Sequence, residues 1–139
     1  MECLYLHETT TIMPYGGDCS CLYMLKKGQI LSYSREYSYL CTYHPGAFFG
    51  EYNIMFGIQS QISYRTKITN NNATVMFKID QDDLMNRIAR DEAMFKHMFK
   101  ISVRKFKFTQ KLVKLSREFN GFGMRRVRGM FKLYNILVI

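Results

Sequence analysis

The sequence lacks the features that would place it outside the ordinary globular class. It contains no tryptophan and only 2 prolines among 139 residues, which excludes a proline-rich linker. Its most apolar stretch, residues 133–139, is far shorter than the roughly 20 residues that a membrane-spanning helix needs. The first 21 residues have neither the basic start nor the apolar centre of a signal peptide. We therefore expect a soluble, cytoplasmic chain of one domain.

Cysteine pairs with the spacing of a metal site are also missing. Cys19 and Cys21 form a C-x-C pair, and Cys3 and Cys41 stand apart, whereas structural zinc sites usually carry two C-x₂-C or H-x₃-H pairs. We expect reduced thiols in strand positions, with a metal or redox site as the alternative. The three histidines have no neighbouring catalytic motif, so we expect no enzymatic activity.

Positive charge is concentrated in the second part of the chain. Residues 1–80 carry 6 Lys or Arg and 6 Asp or Glu, whereas residues 81–139 carry 14 and 5. The whole formal charge of +9 therefore lies after residue 80. This asymmetry indicates a neutral globular body followed by a basic helix or tail that faces an anionic surface, an acidic partner or nucleic acid.

The first 80 residues show short β-type runs separated by glycine turns. The predicted strands are residues 9–13, 21–25, 29–34, 37–42, 63–68 and 74–79, with a polar turn at residues 70–72. Turn signals recur about every ten residues, which is typical of an antiparallel sandwich, barrel or jelly-roll. We predict a β-roll of about eight strands over residues 1–80.

From residue 81 the periodicity becomes helical. Asp80 offers an N-cap, and a first short helix follows it. A second helix is predicted over residues 91–119, and its stripe consists of Met94, Met98, Ile101, Phe108, Leu112, Leu115 and Phe119, with Lys105 as the one interruption. Strands first and helices last predict an α+β fold: residues 1–119 form the domain, and residues 120–139 form a basic tail.

Residues 45–51, with the sequence PGAFFGE, are the segment most suited to chemistry. Gly50 would let the backbone approach a ligand closely, and the start of the helical turn that follows would offer N–H groups to an anion. Glu51 could accept a hydrogen bond from a ribose hydroxyl. Phe49, Gly50, Glu51 and Tyr52 are therefore candidate ligand contacts, although a Gly-Glu pair after a strand is also a common plain turn.

Several segments in this order resemble the cyclic-nucleotide-binding domain. They are LYMLKKGQI at residues 22–30, FFGE at 48–51, SYRT at 63–66 and the Asp80, Asp83, Leu84 pattern, together with turn glycines at 17, 28 and 46. The resemblance covers residues 4–119 and is greatest for the cytoplasmic domain of hyperpolarisation-activated and plant-type voltage-gated cation (potassium) channels. It implies a regulatory β-roll that takes cAMP or cGMP, with like subunits of a tetramer as partners at the inner face of a membrane.

The residue that clamps the nucleotide phosphate in this family is missing. The resemblance makes FFGE the opening of the family's phosphate-binding segment, which we call the cassette. It places the family's clamp arginine at Ser60 and the next cassette position at Gln61, and neither residue carries charge. Loss of a charge-assisted contact typically removes about 1.5–3 kcal/mol, or tenfold to several-hundred-fold in affinity. Arg65 is a substitute clamp if the register slips by four or five residues. We therefore expect nucleotide binding to be weak or absent.

In this family the last helix closes as a lid over the base of the bound nucleotide. Here the resemblance places Met94, Phe95, Met98 and Phe99 on that helix. We expect these side chains and Ile101 to fill the ligand space themselves, so that the domain stays closed without nucleotide, as in degenerate channel homology domains. A Met- and Phe-rich stripe at helical spacing is also common in plain cores.

Two other functions stay open. A soluble nucleotide-responsive DNA-binding regulator would need a helix-turn-helix, and the residues after 120 are too few for one, so we expect no sequence-specific nucleic acid binding. The second open function is an element that binds a membrane surface or an acidic partner. Phe106, Phe108, Phe122 and Phe131 alternate with Lys105, Lys107, Lys111, Arg125 and Arg126, a mixture that suits anionic headgroups through the basic tail.

Overall fold

Two four-stranded antiparallel sheets form the body of the protein. The computed structural model describes residues 1–68 and 72–118. The strands are β1 Glu2–Leu6, β2 Thr11–Met13, β3 Cys21–Lys27, β4 Gln29–Tyr33, β5 Tyr39–Tyr43, β6 Phe48–Phe49, β7 Ser63–Lys67 and β8 Thr74–Asp80. One sheet has the order β1-β8-β3-β6 and the other β2-β7-β4-β5. The predicted eight-stranded roll is confirmed.

Three helices among the described residues flank the roll. They are α1 Glu51–Phe56, which lies between β6 and β7, and the consecutive α2 Gln81–Ile88 and α3 Glu92–Glu118. The two helices predicted after residue 80 are therefore confirmed, α3 begins within one residue of its predicted start, and its predicted end at residue 119 lies outside the described residues. In the described ranges no helix combines the length and the apolar character that crossing a membrane requires.

Side chains from both sheets meet in one core, and α3 closes it. Alternating burial along β4 and β7 turns Ile30, Tyr64 and their neighbours inward. The main cluster comprises Met13, Leu25, Ile30, Leu40, Cys41, Phe49, Ile62, Tyr64, Met76 and, from α3, Leu112. A smaller cluster of Leu22, Ile54, Leu84 and Ile88 holds α1 and α2 against β3. The roll therefore positions α1, and α3 covers it.

Two strands were missed by the sequence analysis. β1 pairs with β8 from Glu2 opposite Lys78 to Leu6 opposite Thr74, although its residues are mostly exposed and lie at the edge of a sheet. β6 is only two residues long and lies inside the PGAFFGE segment. The alternation in β1 covers only five residues, of which Leu4 and Leu6 pack against the core, and a two-residue strand has no periodicity.

Candidate functional site

The backbone at the start of α1 depends on a glycine. Gly50 has φ +100°, and a Cβ at this position would lie 2.5 Å from the carbonyl oxygen of Cys21 and 3.0 Å from Cys19 Sγ. L-residues rarely adopt this conformation, so both the torsion and the close approach select glycine. The turn delivers Glu51 directly into the interior between α1 and α3.

A lysine from α3 forms an ion pair with the carboxylate of Glu51. The Glu51 side chain is fully buried, and Lys105 Nζ lies 2.9 Å from its Oε1 with the lysine side chain only 18% exposed. The same ammonium group donates a hydrogen bond to the carbonyl oxygen of Phe48 and lies 3.8 Å from the centre of the Phe48 ring. Lys105 thus bridges the last helix to the cassette through charge, hydrogen bond and cation–π contact.

Other polar groups at this interface are buried without hydrogen-bond partners in residues 1–68 and 72–118. They include Glu51 Oε2 and Ser102 Oγ. Burial raises the pKa of Tyr52 to about 12, and the nearby hydroxyls of Thr109 and Tyr64 lower that pKa by less. The contact between α1 and α3 is therefore polar and only partly satisfied, which makes the Lys105 ion pair its main electrostatic attachment.

Aromatic rings fill the roll next to Glu51. Phe49 stacks on Tyr64 with ring centres 4.3 Å apart. Tyr23 also stacks on Phe49, with ring centres 5.3 Å apart. Tyr43 lies 5.6 Å from Tyr64. Burial raises the pKa of both Tyr43 and Tyr64 well above the ordinary tyrosine value. These four rings take up interior volume beside the cassette.

The two clamp positions make local contacts. Ser60 is buried, and its hydroxyl donates to the carbonyl oxygen of Ile62 at 2.6 Å. Its backbone pairs with the turn at Gly16 and Gly17 through bonds of 2.7 and 3.0 Å. Gln61 is half-buried. Ser60 therefore helps to fasten the loop between α1 and β7 and brings no positive charge to the pocket.

Arg65 does not take over the clamp. It lies on β7, where burial alternates, and it is exposed between the buried Tyr64 and Thr66. Its side chain therefore points to the outer face of the sheet, away from the fully buried Glu51. Arg65 is therefore not placed to act as a substitute clamp in this structure.

The expectation that four lid residues fill the ligand space is wrong for three of them. Met94 is 52% exposed, Phe95 40% and Phe99 44%, while Met98 packs beside the smaller cluster of α1, α2 and β3. The first turns of α3 extend beyond α1, which is only six residues long. Phe99 contacts Phe56 at its edge, with ring centres 5.6 Å apart, and the space over the cassette is taken by Lys105 instead.

Sequence reasoning thus missed the residue that faces Glu51. Lys105 was set aside as the one polar interruption in an apolar helical stripe. That interruption was the available signal, because a lysine on the buried face of a helix usually has a carboxylate partner. The aromatic stack of Tyr23, Phe49, Tyr64 and Tyr43 gave no sequence signal beyond ordinary strand composition.

A separate cleft of about 540 Å³ lies beside the clamp loop. It is lined by Tyr15, Gln61, Gln110, Val113, Lys114, Arg117 and Glu118. Glu51 and Lys105 do not line it, so of the candidate ligand contacts only Gln61 reaches this cleft. The predicted basic tail and Phe119 lie outside the described residues, and the tail's role stays a prediction.

Comparison with known proteins finds likeness at the level of structure alone. No protein-family model and no curated protein matches the chain. Against cAMP-bound PfPKA-R (141–441) the TM-score is 0.65 at 14% identity, over 81% of this chain and 36% of that one. Against the cGMP-bound form of the EAL enzyme Bd1971 it is 0.61 at 19%, over 86% and 32%.

A third neighbour is the regulatory subunit of a cAMP-independent protein kinase A from Trypanosoma brucei, with a TM-score of 0.58 at 11% identity, over 76% of this chain and 38% of that one. The chain has the cyclic-nucleotide-binding fold. It spans about a third of the length of each of these three proteins, and at such identities the likeness establishes the fold and nothing finer.

Proposed function

We propose that this chain is a non-enzymatic regulatory domain whose nucleotide pocket is occupied by its own side chains, so that binding of cAMP or cGMP is weak or absent. The observation that carries the proposal is the ion pair between Lys105 and the fully buried Glu51. A ribose hydroxyl would have to displace this ammonium group and leave it buried without its partner, at a cost of several kcal/mol.

The phosphate end of the pocket supports the same function. Ser60 stands at the clamp position and directs its hydroxyl to Ile62, so no guanidinium fork awaits a cyclic phosphate. Two structural neighbours are described with cAMP or cGMP bound, and a third as the regulatory subunit of a cAMP-independent protein kinase A. The fold therefore also occurs in a kinase that does not depend on cAMP, and the side chains of this chain favour such independence.

Isothermal titration of the full chain with cAMP and cGMP tests the proposal. The wild type should release no binding heat up to millimolar nucleotide. Ser60→Arg with Lys105→Ala should bind, because the pair supplies the clamp and frees Glu51. Ser60→Arg alone should gain less, since Lys105 still competes. Micromolar binding by the wild type would contradict the proposal, as would an equal gain from Ser60→Arg with and without Lys105→Ala.

The more specific part of the proposal is that this domain belongs to a cation channel. It rests on the resemblance of residues 22–30, 48–51 and 63–66 to channel cytoplasmic domains. In that setting the domain would dock on like subunits of a tetramer, and differential docking in two states would regulate the pore. The complete transcript that encodes this chain tests the context: pore-forming, membrane-spanning segments in the same reading frame are expected, and a transcript without them contradicts it.

A further inference from the structure

The solvent face of α3 carries an unusual excess of one charge. Residues 93–117 contain 8 Lys or Arg and no Asp or Glu. Seven of the cations are exposed, and six of these recur at three- or four-residue steps: Lys96, Lys100, Arg104, Lys107, Lys111 and Lys114. Such spacing aligns them along one side of the helix. We call this row the basic row.

Few of these cations are neutralised within the described parts of the chain. Lys96 pairs with Glu92 and Lys114 with Glu118, both along the helix and both exposed. Lys100, Arg104, Lys107 and Lys111 have no ion pair among residues 1–68 and 72–118. A row of like charges repels itself by a few tenths of a kcal/mol per neighbouring pair, so an external anionic surface would relieve it.

Exposed apolar side chains lie at the N-terminal end of the same helix. Phe95 and Phe99 stack with ring centres 6.4 Å apart. Both side chains remain about two-fifths exposed, and Met94 is 52% exposed. The opposite side of α3, at Leu112, is packed into the core. Large apolar side chains rarely remain exposed together without a function.

From this placement we infer that α3 docks on an anionic lipid surface, with the basic row on the headgroups and Phe95 and Phe99 inserted at its N-terminal end. The row spans 19 residues from Lys96 to Lys114, and the 18 steps between its ends measure about 27 Å of helix. A flat bilayer can contact such a length at once. Lipid is favoured over nucleic acid because the aromatic end gains from an apolar phase, whereas phosphate contacts need cations alone.

The basic tail predicted from the sequence is not needed for this inference. Phe106 and Phe108, which the sequence suggested as membrane contacts, are half-buried against α1 and the core, and Lys105 is held by Glu51. The surface available for lipid is therefore the N-terminal end and solvent side of α3.

Vesicle sedimentation with the full chain tests this surface. The vesicles contain phosphatidylcholine alone or with one-third phosphatidylserine. Lys100→Gln with Lys107→Gln should weaken binding to the anionic vesicles roughly 25-fold, because each lysine near such a surface contributes roughly fivefold. The matched control, Lys27→Gln with Lys67→Gln, removes the same charge from exposed strand positions and should change binding less than twofold.

Tryptophan fluorescence separates insertion from charge attraction, since the chain has no tryptophan of its own. Phe99→Trp should shift its emission to the blue on anionic vesicles, whereas Tyr37→Trp, at a position 82% exposed on the roll, should not. Equal effects of the two lysine pairs, no blue shift from Phe99→Trp, or equal binding to neutral vesicles would each overturn the inference. So would a wild type that ignores vesicles but binds polyglutamate or duplex DNA through these lysines.

Discussion

The two halves of α3 have similar apolar content and opposite positions in the structure. In the C-terminal half, Leu112 is buried in the main core and Lys105 reaches Glu51. In the N-terminal half, Met94, Phe95 and Phe99 are exposed. The difference arises from what lies beneath: Leu112 in the second half packs into the core of the roll, whereas the first half meets α1 at its last residue, Phe56, which contacts Phe99. Apolar composition alone therefore does not show which half closes the pocket.

The largest expected effect separates two lysines of α3. Lys105→Met should destabilise the domain by about 3–5 kcal/mol, because it leaves Glu51 buried without its partner. Lys107→Met, two residues away and exposed, should cost less than about 0.5 kcal/mol. Urea denaturation followed by circular dichroism measures both. Equal costs would show that the Lys105 contact contributes no more than a surface charge.

The second prediction compares apolar side chains in the two halves. Leu112→Ala should cost about 2–5 kcal/mol, because Leu112 is 3% exposed and its removal leaves a cavity. Met94→Ala should cost less than about 1 kcal/mol, since half of that side chain already faces water. The free energy of unfolding in urea gives both values, and a larger loss for Met94→Ala would reverse the assignment of the two halves.

Alkaline pH should destabilise the contact between α1 and the C-terminal half of α3, where Tyr52 of α1 packs against Phe106. The pKa of Tyr52 rises from 10.0 to about 12 because it is buried, so the folded state holds this proton more tightly than the unfolded state. Its contribution to stability is complete below pH 10 and is lost as pH rises through about 12. Stability measured against pH should fall in this window, and Tyr52→Phe should make the fall shallower. An unchanged slope in Tyr52→Phe would contradict the assignment.

The smallest expected effect is at the exposed end. The pair of Lys96 and Glu92 is 3.0 Å long, and both side chains are more than two-thirds exposed. Lys96→Ala should therefore change the free energy of unfolding by at most about 0.5 kcal/mol. Thermal denaturation at low and high salt checks this value. A loss comparable to that of Lys105→Met would remove the contrast between the two halves.

The sequence was sufficient for the strand-then-helix order and for the cassette at residues 48–51, because glycine turns and the change to helical periodicity are local signals. It could not reveal that Phe95 and Phe99 stay about two-fifths exposed, since exposure depends on which neighbouring elements reach a helix. Nor could it pair Lys105 with Glu51. Those residues are far apart in the chain, and local periodicity marks the lysine only as an exception to a pattern.

A double-mutant cycle on Glu51 and Lys105 tests the central claim most directly. Urea denaturation would be measured for the wild type, Glu51→Gln, Lys105→Met and the double variant, with Glu92→Gln and Lys96→Met as the matched exposed pair. The account predicts a coupling energy of at least about 1.5 kcal/mol for the buried pair, with Glu51→Gln recovering much of the stability lost in Lys105→Met. A coupling near zero, equal to that of the exposed pair, would contradict an internally occupied pocket.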